Sequence, residues 1–308
     1  MSRHPHLPSY TFRPVATCAM CGSPSARFRV LGVRLNHSHG YQPRGVRGVG
    51  VTLVRCRDCG LVFPDPQPVP DSVLDHYAMT GTEYWPDDRA DAVVDQALAA
   101  RFAGLRRRFA SGPAPVTLDI GVGAGFTARA LLDAGFDLYG CEPIPQFREL
   151  ALRSLGLAAN RIRLAGIETV DYPAAAFDLV NFGAVLEHLY EPGIALASAV
   201  RWLRPGGLIV LEVPSSDWLI ARLLNLFFRL RGTNYVTHTS PMHTPFHLYE
   251  FTPRSFAAHG ARAGYAIDSM RRDVGTDPNL ASAVQRGLRR VMACTGTGLT
   301  LNLVLRKL

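Results

Sequence analysis

The chain has 308 residues, 47% of them hydrophobic and 19% charged, and a formal net charge of +8. That balance belongs to a folded globular protein with room for a core domain and a smaller accessory one, and it excludes a disordered chain. No run of ~18 uninterrupted apolar residues occurs, and residues 1–10 carry Arg, His and Pro where a secretory signal would be apolar, so no transmembrane segment and a cytoplasmic location are expected.

Residues 1–14 are rich in His and Pro and are expected to be loose. Residues 15–70 hold two C-x-x-C pairs, Cys18/Cys21 and Cys56/Cys59, each followed by a glycine, Gly22 and Gly60. Paired knuckles in a chain expected to be cytoplasmic suit tetrahedral thiolate coordination of a structural zinc, and that compartment disfavours disulfides. His37 and His39 lie between the pairs, but four cysteines already complete a shell. Strands are predicted at 28–31 and 51–55, and Pro64, Pro66, Pro68 and Pro70 read as a stiff connector. Residues 71–115 are a connector and helical lead-in, with a helix predicted over 87–109.

From residue 116 the pattern alternates. Strands are predicted at 116–120, 137–142, 161–165, 178–182 and 208–213, and helices at 126–134, 145–155 and 193–203. This implies a parallel sheet with helices on both faces. Strands at 266–273 and 301–305 would finish it as an antiparallel edge, with Cys141 and Cys294 in the core. The fold class is therefore α/β, a Rossmann-like sheet flanked by helices, with a small N-terminal cysteine module.

The first turn of that sheet carries the chemistry. V-T-L-D-I-G-V-G-A-G places Asp119 before three alternate glycines, Gly121, Gly123 and Gly125. Such a turn lets a cofactor lie against bare backbone at a helix N-terminus, and by itself it leaves a dinucleotide and S-adenosylmethionine both open. An acid inside the loop would repel a pyrophosphate and welcome a cation. The second strand ends in Glu142, at the ~20-residue distance suited to gripping ribose hydroxyls.

One insertion, 217–247, breaks the alternation. Its first part, D-W-L-I-A-R-L-L-N-L-F-F-R-L-R, is apolar with interspersed arginines. It is expected to be a lid over the pocket, with a dimer contact or weak membrane-surface association as alternatives. Of the basic Lys and Arg residues only Lys307 is not arginine, and Arg271, Arg272, Arg286, Arg289, Arg290 and Arg306 concentrate near the C-terminus. A basic surface favours an anionic partner without choosing one.

In order and spacing, the glycine turn, Glu142, Phe177–Val180, Leu186-Glu187-His188 and Leu203-Arg204-Pro205-Gly206-Gly207 resemble the class I S-adenosylmethionine-dependent methyltransferases, over roughly residues 95–308. The resemblance implies a core of 116–308, with Asp119, Gly121 and Gly123 along the donor's methionine part, Glu142 on its ribose and Pro143 beside adenine. It also implies Gly166, Ile167 and Glu168 near the adenine, and Phe182, Gly183 and Ala184 facing the methionine amine and the methyl.

The knuckle segment Val54–Pro66 is similar to the zinc-binding extension of bacterial methyltransferases of sugar and natural-product biosynthesis. In that set an aromatic pair follows the knuckle, here Tyr84-Trp85 with Tyr77 before it. Tyr84 then either offers its π face to the sulfonium or packs between domains. The sugar C-methyltransferases carry a further C-terminal domain that is not expected here.

Two histidines are candidates for a general base. His247, in H-L-Y-E-F-T, matches the H-L-x-x-F-[ST] signature of the zinc-extended set; its other role is to hold the loop. His188 follows Glu187; metal-dependent relatives have E-x-x-E-H there, and Ala184 stands in place of the first ligand, so a catalytic metal is not expected. The expected function is methyl transfer from S-adenosylmethionine to a small-molecule acceptor, which the basic balance would let be anionic, in the first place a sugar or a nucleotide-linked carbohydrate or natural-product intermediate. The alternatives are a phenol or quinol O-methyltransferase, another N- or S-methyltransferase of small metabolites, or, from a different class, a zinc-ribbon RNA-binding or RNA-modifying protein. Nucleic acid is disfavoured because the module offers only Arg27, Arg29, Arg34, Arg44, Arg47, Arg55 and Arg57, without interleaved Lys and aromatics. The acceptor, the atom methylated and the choice of monomer or homodimer are not fixed by the sequence.

Overall fold

The computed structural model describes residues 10–35, 50–70, 96–109, 112–237, 247–274 and 282–308. His37, His39, Tyr77, Tyr84 and Trp85, the start of the helix expected from residue 87, and 238–246 lie outside these residues. The chain forms two compact units: Met1–Trp85 with Pro214–Ser255 and Val274–Leu299, and Pro86–Val213 with Phe256–Asp273 and Thr300–Leu308.

In the first unit β1 (Tyr10–Arg13) pairs antiparallel with β5 (Gln67–Pro70). A three-stranded sheet joins β2 (Phe28–Leu35), β3 (Gly50–Cys56) and β4 (Val62–Pro64). The proline segment expected to be a bare connector is thus two strands. Its prolines are tolerated because β4 and β5 are edge strands, where a missing N–H leaves no ladder bond unmade. Phe63, Leu61 and Leu53 fill the small core of this unit.

The segment read above as an insertion lies in the same unit. Its helix α5 (Leu219–Leu230) is close to the expected span, and its return leads back to β2 through a Val33–Tyr235 bridge. Residues 247–252 follow, bridging β4 at Val62–Glu250. Helix α7 (Ser282–Thr295) has no counterpart in the predicted elements. Cys294, expected in the core, is exposed on it. The apolar run around that cysteine belongs to a surface helix and not to the final strand.

The second unit is a seven-stranded sheet in the order β11-β12-β10-β9-β6-β7-β8. Its strands are β6 (Val116–Ile120), β7 (Asp137–Glu142), β8 (Ile162–Leu164), β9 (Phe177–Gly183), β10 (Leu203–Pro214), β11 (Tyr265–Asp273) and β12 (Thr300–Lys307). β6, β7, β8, β9 and β10 are parallel to one another, and β11 pairs antiparallel with β12, as the alternation implied. Helices α1 (Gln96–Arg106), α2 (Phe126–Asp133), α3 (Pro145–Leu155) and α4 (Pro192–Trp202) cover it.

One core runs through Phe102, Leu131, Leu138, Leu179 and Val210, each almost fully buried. Helix α6 (Pro253–Ala263) was not expected. It ends against β11, where a Cβ on Gly260 would stand 2.4 Å from the Tyr265 carbonyl oxygen, so only glycine permits the approach. Beside it His259 Nδ1 and Tyr265 Oη are 3.0 Å apart and buried.

Candidate functional site

The strand order places β6 and β9 side by side at the centre, where the chain reverses direction across the sheet. Ligands in such sheets bind beyond the carboxyl ends of the strands at that switch point. Asp119 lies on β6 and Asn181 on β9 in register with it.

Asp119 is 2% exposed. Its Oδ1 accepts a hydrogen bond from Asn181 Nδ2 at 2.7 Å, and its Oδ2 is buried with no hydrogen-bond partner. Burial pushes its carboxyl up to about 7; Glu142 nearby pushes the same way and the Asn181 bond pulls back. A buried carboxylate with a vacant oxygen suits a cationic ligand, since a cation supplies both the missing partner and the missing charge.

The turn after β6 is built from backbone. Gly121, Gly123 and Gly125 have φ of +68°, +56° and +93°, all in the left-handed region that favours glycine. At Gly121 a Cβ would stand 2.6 Å from the Val185 side chain, whereas at Gly123 it would project into open space, with its nearest neighbour 4.0 Å away. Gly125 then caps α2. The turn is thus closed toward β9 and bare at Gly123, a cradle into which a ligand can lie.

Glu142 closes the turn from β7. Oε2 accepts from the Gly123 amide at 2.8 Å and Oε1 from the Ile144 amide at 2.9 Å. Each oxygen keeps a second lone pair, so the carboxylate can still accept from hydroxyls. Burial raises its pKa, and the two amides oppose that.

Pro143 is exposed next to it, and Ile167 is buried in the turn after β8. A Cβ on Gly166 would meet the Glu168 carboxylate at 2.7 Å, so that acid folds back over the glycine. Phe182 is fully buried, which leaves only its main chain to face a ligand. Gly183 ends β9, and Ala184 turns the chain at φ +53°, a rare conformation for a residue with a Cβ. The turn enters the short 3₁₀ segment Leu186–His188, where Glu187 is buried, with its carboxyl pushed up to about 8 by burial, and His188 is half-buried.

In the other unit the four knuckle cysteines converge. All four Sγ atoms lie within 4.8 Å of one another, with Cys18–Cys59 at 3.5 Å and Cys21–Cys56 at 3.6 Å. Zinc at the usual Zn–S distance sets its sulfurs roughly 3.8 Å apart, whereas a disulfide needs about 2.05 Å. The two knuckles match: the Gly22 amide donates to the Cys18 carbonyl at 2.8 Å and that of Gly60 to Cys56 at 2.9 Å. The cluster is consistent with a zinc-binding module.

His247 opens the segment 247–252, half-buried itself, while Leu248, Tyr249, Glu250 and Phe251 are buried. The rest of this motif serves the module. Gln67 Nε2 donates to Tyr249 Oη at 2.7 Å, and Thr252 Oγ1 donates to the Cys59 carbonyl at 2.5 Å.

Residues 118–211, from β6 to β10, match the family described as a methyltransferase domain. The chain carries a methyltransferase domain over these residues. It is 24% identical over 222 residues to the ubiquinone biosynthesis O-methyltransferase of Bordetella avium, spanning 66% of this chain and 83% of that protein. An uncharacterized methyltransferase of Mycolicibacterium gilvum is 34% identical over 96 residues, 31% of this chain and 37% of that one. Among solved structures, a chain from the complex between the Haloferax volcanii Trm112 methyltransferase activator and a methyltransferase superposes with a TM-score of 0.52 at 17% identity. It covers 77% of this chain and 97% of that one, and shows the shared fold alone.

Sequence reasoning missed Asn181 and Thr252. Asn181 carried a readable signal, a lone amide in the otherwise apolar end of F-D-L-V-N-F-G, where an unpaired polar group would be costly. Thr252 stood in the H-L-x-x-F-[ST] signature, but its task was hidden because its partner lies 193 residues away.

Proposed function

We propose that this methyltransferase moves the methyl group of S-adenosylmethionine to a small organic acceptor from the centre of the seven-stranded sheet. The observation that carries the reading is the buried Asp119 carboxylate, whose Oδ2 has no partner, beside the bare backbone at Gly123. Bound there, S-adenosylmethionine supplies a methyl group on a positively charged sulfur, open to in-line displacement. Asp119 balances the donor's positive charge, and Asn181 fixes that carboxylate by its hydrogen bond. Gly121 and Gly123 give room for the methionine part, and Glu142 accepts from the ribose hydroxyls. Pro143, Gly166 and Ile167 flank the adenine, and the Phe182–Gly183 main chain faces the methyl. Tyr84 is proposed at the sulfonium, on the resemblance alone. Cys18, Cys21, Cys56 and Cys59 hold one structural zinc.

For the acceptor, the likeness to the ubiquinone biosynthesis O-methyltransferase of Bordetella avium favours a phenol or quinol oxygen. The sugar reading rests on the cysteine module. RNA is disfavoured by what the module's arginines already do: Arg34 is 2% exposed, Arg27 pairs with Asp58 at 2.6 Å, and Arg55 donates to the Ser216 carbonyl at 2.9 Å. Either His188 or His247 is proposed to take the acceptor's proton.

Calorimetry with S-adenosylmethionine, followed by a labelled-methyl screen of phenols, quinols, nucleotide sugars and sugar acids, tests the reading. Cofactor binding and label in one acceptor class are expected. Failure to bind the cofactor, or label found only in RNA, would overturn it.

A further inference from the structure

Helix α5 wears its amphipathicity inside out. Its inner side is held within its own unit. Ala221 is buried, Phe228 packs edge-on against Tyr235 at 5.2 Å, and Asn225 Oδ1 accepts from the Thr237 amide at 2.7 Å. The opposite side carries Leu223, Leu226, Phe227 and Leu230, exposed by 52%, 53%, 51% and 80%. These positions, spaced i, i+3, i+4 and i+7, form one continuous stripe on a helix. An apolar stripe of this kind turned to water marks an interaction surface.

Charge says what kind. Arg222 and Arg229 flank the stripe on one side and Arg231 on the other, all exposed, while residues 219–237 contain no Asp or Glu. Arg222 is neutralised by Asp217 at 2.6 Å, and Arg231 lies 5.6 Å over the Phe227 ring. A second copy of this chain laid on the same stripe would bring arginine rows together on a molecule of net charge +8. A protein partner would need an acidic-rimmed groove, which nothing here indicates. A bilayer with anionic headgroups provides both parts at once, acyl chains for the stripe and negative charge on both flanks.

We infer that α5 is a membrane-surface element that lies in the interface of an anionic bilayer through Leu223, Leu226, Phe227 and Leu230, with Arg229 and Arg231 at the headgroups. It lies on the bilayer and does not cross it. Its 12 residues span about 18 Å against a hydrocarbon core of about 30 Å, and no described helix is long and apolar enough to cross a membrane. This inference is independent of which acceptor the enzyme methylates.

The test is co-sedimentation of the full-length zinc-loaded protein with vesicles of phosphatidylcholine alone and with 30–40% phosphatidylglycerol (roughly physiological anionic content). Binding to the anionic vesicles, weakening with added salt and weak on phosphatidylcholine, is expected. The double variant Leu226→Asp/Phe227→Asp should lose at least tenfold in partitioning, and Arg229→Gln about fivefold. All three side chains are exposed, so both variants should keep the wild-type melting temperature and cofactor affinity, which checks that they are folded. Unaltered partitioning of the double variant, or no binding by the wild type, overturns the inference. So does a wild-type dimer that the double variant dissociates, which would assign the stripe to a second copy.

Discussion

Glu142 Oε2 accepts the Gly123 amide at 2.8 Å, so the carboxylate proposed to grip the ribose also fixes the glycine turn beside it. The two roles separate by measurement. Glu142→Ala leaves the Gly123 and Ile144 amides without acceptors and should cost roughly 2–4 kcal/mol of stability in the ligand-free protein. Glu142→Gln keeps one carbonyl oxygen and should cost less. It should still weaken S-adenosylmethionine binding by roughly 1.5–3 kcal/mol, since a charged acceptor becomes neutral. Calorimetry that finds wild-type affinity in Glu142→Gln would remove the ribose assignment.

Asp119 sets a pH dependence. Its carboxyl is raised to about 7, chiefly by burial, above the ordinary value of an unfolded aspartate. The ligand-free native state therefore binds this proton more tightly than the unfolded chain between about pH 4 and 7. The associated stability, on the order of 4 kcal/mol, is full below about pH 4 and lost as pH rises through 7. Buried Glu187, raised to about 8, acts in the same direction, so the comparison must be with Asp119→Asn. The melting temperature of the wild type relative to that variant should fall between pH 5 and pH 8. Cofactor affinity should do the reverse, because the cation needs the ionised carboxylate. Below pH 7 it should drop by up to about tenfold per pH unit in the wild type and stay nearly flat in Asp119→Asn. A pH-independent wild-type affinity would rule out Asp119 as the charge partner.

The cysteine module and the H-L-Y-E-F-T motif are joined at Thr252, whose hydroxyl bonds the Cys59 carbonyl. A Cβ on Gly60 would meet Thr252 Cγ2 at 2.9 Å, and Gly60 sits at φ +81°, so the knuckle and the threonine are fitted to each other. Purified protein should contain about one zinc per chain, lost in Cys56→Ser. Thr252→Val should retain the metal but release it faster to a chelator, with about 1–2 kcal/mol lower stability. Metal-free wild-type protein, or an unchanged release rate in Thr252→Val, would count against this account.

Most of the sheet was legible because its signals are local. α3 begins at Pro145 and ends before Gly156 at φ +67°, and both punctuation marks stand in the sequence. Gly121, Gly123 and Glu142 were readable for the same reason, since a turn dictates its own residue types. What stayed hidden depends on distant partners. The prolines of β4 and β5 became strands only because β3 and β1 lie beside them, and Cys294 looked like a core residue until α7 placed it on the surface. The stapling of Gly123 by Glu142 spans 19 residues and two elements, so the sequence could name the acid but not its second task.

Methyl transfer to a hydroxyl must release a proton, and histidine accepts one near neutrality. His188 stands in the 3₁₀ turn after Ala184, and His247 opens the buried segment 247–252. With a phenol, quinol or sugar hydroxyl as acceptor, one of His188→Asn and His247→Asn should lose roughly 10²–10⁴ in kcat, the scale of general-base removal. That variant should keep the melting temperature and S-adenosylmethionine affinity of the wild type, which separates a proton-transfer role from a structural one. Its remaining activity should also lose the acid-side fall that a histidine base imposes on the wild-type pH–rate profile. A sulfur acceptor or an already neutral amine needs no base, and then neither variant should slow appreciably. Near-wild-type kcat in both variants with a confirmed hydroxyl acceptor would remove histidine from the proton-transfer step altogether.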